Sequence, residues 1–215
     1  MKKKLSMIFL LLVMALLSVN IYAETTVTVA QNADAKTLDP TASNDVPSHR
    51  VTLQIYDNLV DRDHGKLVPG LAESWTQVDP LTLDVKIRKN IKFHNGDPMT
   101  VGDVVFSLQK AKDAPSMMSF YSDIDKIEAI DDETVRITTK KPFGPLVNYL
   151  AHKGAGIMSE KAVKAAGDNY GQHPIGTGPF MFDSWVSADR IVLKANPDYY
   201  KGKPAIEYSE LYLKE

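Results

Sequence analysis

The chain of 215 residues contains no cysteine. That removes disulfides, thiolate metal sites and cysteine nucleophiles. It also removes the cysteine to which a lipid anchor would be attached at an exported N-terminus. Metal-binding motifs are equally scarce. His49, His64, His94, His152 and His173 are scattered, none pairs with another at helix-face spacing, and no H-E-x-x-H occurs. These five read as structural or surface histidines. Gly176-Thr177-Gly178 lacks the Lys-Ser/Thr that would make it a phosphate loop, and no G-x-S-x-G elbow marks a serine hydrolase. The carboxylates are many, but nothing in their spacing pairs two of them. An enzyme reading has no positive support, and no cofactor or metal is implied.

Long hydrophobic runs are absent with one exception. Lys2, Lys3 and Lys4 precede an apolar stretch from Leu5 to Val19, followed by Ile21-Tyr22-Ala23. The stretch falls short of the roughly twenty residues that span a bilayer. It reads as a secretory signal peptide, residues 1–23, cleaved near Ala23. With no lipid-attachment cysteine, the mature chain is expected free in the periplasm. Losing the three signal lysines from 25 basic residues leaves 22 against 27 acidic ones, a charge of about −5. A mildly acidic surface argues against a nucleic-acid partner.

What is present is a mixture of short strands and helices without regular βαβ alternation, so the fold class is α+β. Thr25 to Ala30 alternates and is β-branched. Leu81 to Arg88 (LTLDVKIR) puts Leu81, Leu83, Val85 and Ile87 on one side and polar residues on the other, a half-buried antiparallel strand. Ile127 to Ile130 and Thr134 to Thr139 suggest a hairpin across Asp131-Asp132. Phe182 to Val186 and Arg190 to Lys194 suggest another, and Tyr208 to Leu213 a last strand. Val51, Ile55 and Leu59 form the stripe of a helix opening at Pro47-Ser48. Ser159 is placed to cap a helix that ends at Gly167.

The densest local signal is Ile91 to Leu108, IKFHNGDPMTVGDVVFSL. Asn95-Gly96-Asp97 makes a tight turn. Thr100 and Asp103 form a near capping box, with Asp in place of the usual Glu or Gln. Val101, Val104, Val105 and Leu108 give the following helix one apolar face.

Two loops carry candidate binding residues. Met117, Met118 and Tyr121, with Phe120, lie in Ala114 to Tyr121, which reads as a loop rich in apolar groups. Such groups suit a pocket wall that accepts varied ligands, and equally a loop folded back onto the core. Asn44, Asp45 and Val46 precede a helix, and read either as a binding loop or as ordinary helix-start chemistry. Trp75 and Trp185 read as core.

Six blocks in order resemble the extracytoplasmic solute-binding proteins of the peptide/nickel class that feed ABC importers. They are TLDP (Thr37–Pro40), YDNLV (Tyr56–Val60), LVPGLAESW (Leu67–Trp75), the Ile91–Leu108 stretch, GTGPF (Gly176–Phe180) and NPDYY (Asn196–Tyr200). Ile137 to His152 resembles the glutathione- and dipeptide-binding branches. The resemblance implies a monomeric, two-lobed class II receptor that closes on a small peptide and docks on membrane permease subunits. It implies a first lobe built from residues 24–57 plus 173–215, with 58–172 as an inserted subdomain, and the second lobe missing from these 215 residues. It also implies that Asn44, Asp45 and Val46 pair with the ligand backbone. The alternative is a remnant or interaction module without a transport role.

Overall fold

The computed structural model describes residues 25–213. The signal-peptide segment lies outside the described residues. The fold is α+β, as the mixed pattern predicts, and is organised around two sheets, each with its own core.

The first sheet runs β1 (Thr26–Gln31), β10 (Tyr208–Leu213), β9 (Arg190–Ala195), β8 (Phe180–Val186). β1 pairs in parallel with β10, so strands from opposite ends of the described chain lie side by side. The hairpin β8–β9 turns at Ala188, which takes φ 62. Ile191, Leu193 and Leu211 face inward. They meet Val51 and Ile55 of α1 (Val46–Ile55), as well as Met158 and Tyr170.

The second sheet runs β4 (Ala72–Asp79), β5 (Thr82–Ile87), β7 (Thr134–Thr139), β6 (Ile124–Ala129), antiparallel throughout. The alternation of β5 is realised: Leu83, Val85 and Ile87 are buried. α2 (Val101–Asp113) lays Val101, Val104, Leu108 and Ala111 into the same core. Its near capping box closes fully. Asp103 N–H donates to Thr100 Oγ1 at 3.2 Å, and Thr100 N–H donates back to Asp103 Oδ2 at 2.9 Å. The other Asp103 oxygen accepts the Glu160 N–H at 3.0 Å, tying α2 to α5 (Glu160–Ala166). Ser159 caps α5, and Gly167 ends it at φ +54.

Two segments differ from expectation. Lys66–Trp75, whose Pro69-Gly70 pair reads as a turn with a short apolar segment, is mostly strand: β2 (Val60–Asp63) and β3 (Lys66–Pro69) form a hairpin before β4 begins. His64 and Gly65 take φ 48 and 82, the double positive pair a two-residue hairpin needs, and Gly65 tolerates it without cost. Ala114–Tyr121 is helical: a 3₁₀ turn (Pro115–Met117) runs into α3 (Met118–Tyr121), with Pro115 preset for a first turn. α4 (Leu146–Tyr149) follows Pro145 in the same way.

A joint connects the two regions. His94 N–H donates to Gly176 O at 2.9 Å, and its Nε2 lies 3.0 Å from Gly178 O. A Cβ on Gly178 would meet the Gln54 carbonyl at 2.6 Å, so only glycine lets this strand approach α1. Beside it, the buried Asp57 carboxylate accepts from Thr177 (3.0 Å) and Tyr199 (2.9 Å) hydroxyls. Burial raises the Asp57 pKa, and these two bonds oppose the rise.

Candidate ligand-facing site

The loop after β1 is anchored from within. Asp39 of the TLDP block accepts from Thr41 N–H (2.9 Å), Thr41 Oγ1 (2.8 Å) and Lys110 Nζ of α2 (2.8 Å). Six residues on, Asp45 caps α1, accepting from Ser48 N–H (2.9 Å), Ser48 Oγ (2.8 Å) and Ser43 Oγ (2.6 Å). Burial works against its charge, but these donors outweigh it and hold its pKa below the usual carboxylate value. Asp45 is therefore engaged in shaping the loop. Asn44 is exposed, and Val46 is 53% exposed.

The second group divides. Met117 and Tyr121 are fully buried in the core of the second sheet, where Tyr121 donates its hydroxyl to Tyr149 O at 3.0 Å. Met118 is 59% exposed. The helical turn explains this: consecutive residues point to different faces, so Met118 points out while Met117 and Tyr121 point in.

The two groups, far apart in sequence, belong to segments that meet. Ser116 Oγ donates to Thr41 O. Gly154 sits so close to Met117 that a Cβ there would strike its sulfur, and the Pro40 carbonyl at 3.1 Å. One turn into α1, His49 meets the His152 ring edge-on, with centroids 6.1 Å apart. The Phe120 ring lies 4.1 Å from His152 and 5.4 Å from Tyr149. The His152 Nδ1 accepts from Gly154 N–H at 3.1 Å. Desolvation, then His49 and Lys153, pull the His152 pKa down to about 4, so its ring is neutral at physiological pH. His49 is pulled down by desolvation and Lys153 against the opposing effect of Asp45, and its buried Nε2 has no partner.

The result is a wall in which the neutral His152 and the Phe120 ring are half-buried beside a capped loop, with His49 shut away from water behind them. It offers stacking surface and directional polar groups but no nucleophile with a base beside it. Among the described residues, no three His, Asp or Glu side chains gather to hold a metal. His49, His152 and Phe120 were not legible as a group. Their proximity is made by the packing of α1 against the 149–154 loop, and no spacing in the sequence encodes it.

Comparison with known proteins places the chain. The model of the bacterial extracellular solute-binding proteins, family 5 Middle, matches residues 66–211. The glutathione-binding protein GsiB of Escherichia coli O1:K1 / APEC is 37% identical over 199 residues, covering 90% of this chain and 39% of that protein. The structure of MoaA from A. tumefaciens R10 in complex with mannopinic acid superposes with a TM-score of 0.84 at 32% identity, covering 89% of this chain and 41% of that one. The periplasmic binding protein DppA from Helicobacter pylori, in complex with the peptide STSA, superposes at 0.79 and 28% identity, covering 89% and 43%. The chain spans about two-fifths of the length of these relatives. The match of the family model over most of the described residues, on a fold shared with solved members, shows that the chain belongs to the bacterial extracellular solute-binding proteins of family 5.

Proposed function

We propose that this chain carries first-lobe surface of a periplasmic receptor that binds small peptides (a dipeptide, an oligopeptide or glutathione) and presents them to the permease of an ABC importer. The observation that carries this reading is that the loop leading to Asn44–Val46 meets the 116–121 turn through Thr41 and Ser116, while His49 of α1 meets His152, which in turn meets Phe120, in a chain of this family. Asn44, Val46 and Met118 are the members exposed enough to touch a solute. Asp45, Met117 and Tyr121 act behind them, as a cap and as core support. The basic-then-apolar N-terminus supports export with cleavage near Ala23, and the acidic mature charge favours a monomer that avoids nucleic acid.

No bond is broken in this mechanism. A receptor of this kind works by binding its solute more tightly in a closed than in an open state. A single wall supplies only part of the contact a small solute needs, so binding by these 215 residues alone should be millimolar or weaker. Isothermal titration of the purified chain with glutathione and dipeptides tests this. Micromolar binding would overturn the one-walled reading. Uptake of labelled glutathione and dipeptides by cells with the gene deleted tests the transport role, and uptake unchanged for all of them would refute it.

A further inference from the structure

A cleft of about 630 Å³ opens between α1, the β2–β3 hairpin and the 149–154 loop. Its apolar wall is Leu53, which is 44% exposed, with Val68 and Ala151. Asn58 lines it as well. Asn58 is only 7% exposed, yet among the described residues nothing hydrogen-bonds its side-chain amide. Asn58 has no polar atom that is both shut off from water and without a partner, so its amide reaches the cleft and is open to a ligand's polar atom.

The charges around Asn58 are sorted. The two acids each have a partner: Asp61 pairs with Lys201 at 2.5 Å, and Asp63 lies 2.6 Å from the exposed His64 ring, which offsets its charge only when protonated. Two cations are not. Among the described residues no carboxylate pairs with Arg62 or Lys153. Arg62 is held by Asn148, whose side-chain oxygen accepts from Nη2 at 3.0 Å, which orients the guanidinium without neutralising it. A partly buried donor amide, an oriented guanidinium, a second free cation and an apolar wall form a coherent set. They match a small solute with a free carboxylate and a short apolar body.

We propose that this cleft is a carboxylate-binding subsite, with Asn58 and Arg62 as its directional donors and Lys153 as its electrostatic rim. The subsite shares the 149–154 loop with the wall described above, and it does not depend on the receptor reading.

The test uses the ¹⁵N-labelled full chain titrated with N-acetyl-alanyl-alanine and, in parallel, with its C-terminal amide. The acid should shift the Asn58 side-chain amide and the Lys153 backbone amide with a millimolar midpoint, and the amide should leave both in place. Arg62→Gln and Lys153→Gln should each weaken the acid's binding by roughly two- to fivefold, the range for a solvent-screened ion pair. Both positions are exposed, so the variants should keep the parent spectrum elsewhere. Equal shifts with acid and amide, no shift at Asn58, or midpoints unchanged in both variants would each overturn the subsite.

Discussion

The two sheets share one chain but not one degree of enclosure. The β4–β5–β7–β6 sheet is covered by α2 across its inner face, and Leu83, Val85, Val135 and Ile137 are all shut away from water. The β1–β10–β9–β8 sheet is covered only in part. Leu211, Leu193 and Ile191 are buried under α1. Val27 and Val29, in register with Ser209 and Leu211 and so on the same face, remain 41% and 36% exposed. Alternation puts a side chain on the inner face, but only a covering element removes it from water. Among the described residues β1 also presents a free edge without a charged residue, the kind of strand that invites further pairing.

This contrast can be broken or sharpened by measurement. Leu108→Ala, in the enclosed core, should cost about 3 kcal/mol in urea unfolding, from lost transfer energy plus a cavity. A loss below 1 kcal/mol would mean that core is looser than its burial indicates.

The joint between the regions should respond to acid nearly as strongly. Burial pulls the His94 pKa down to about 4, although its bond to Gly178 O opposes the fall. The unfolded chain, with a pKa near the ordinary 6.5, then binds more protons than the folded one between those values. Stability from this residue is therefore present above pH 6.5, is lost as pH falls through the window, and is gone below about pH 4. Its full size is about 3 kcal/mol at most. His94→Gln should flatten that part of the pH–stability curve, and an unchanged slope would assign the loss to other groups.

Asp103→Ala should cost about 1–2 kcal/mol, because it removes the cap of α2 and leaves the Glu160 N–H without its acceptor. Val29→Ala should cost less than about 0.5 kcal/mol, since a side chain already in water has little burial to lose. A Val29 effect near that of Leu108 would show that something covers β1 in solution, and sedimentation would then reveal whether a second copy does.

Much of the fold was legible because its signals are local. The strand LTLDVKIR, the turn Asn95-Gly96-Asp97, the Thr100–Asp103 box and the Ser159–Gly167 helix each depend on residues a few positions apart, and each appears where the pattern puts it. The hairpin at His64-Gly65 was harder to read, because the strong two-residue hairpin signals are Asn-Gly and Asp-Gly, and His-Gly is not among them. The candidate site was legible only as two separate loops. That Asp45 is spent on capping, that Met117 and Tyr121 turn inward, and that His152 stands between His49 and Phe120 are consequences of how α1, α3 and the 149–154 loop pack. The same holds for Asn58, one letter of the YDNLV block in sequence and an amide lining a cleft in space.

The sequence by itself determined the class of the fold, the family and the places where elements begin and end, because turns, caps and alternation act over a few residues and need no partner. The tertiary structure decided which of the candidate residues are exposed and which are buried behind them. It also decided which strand stays open and which charges remain free. Those outcomes depend on residues tens of positions apart meeting in space, and burial and pairing exist only once they have met.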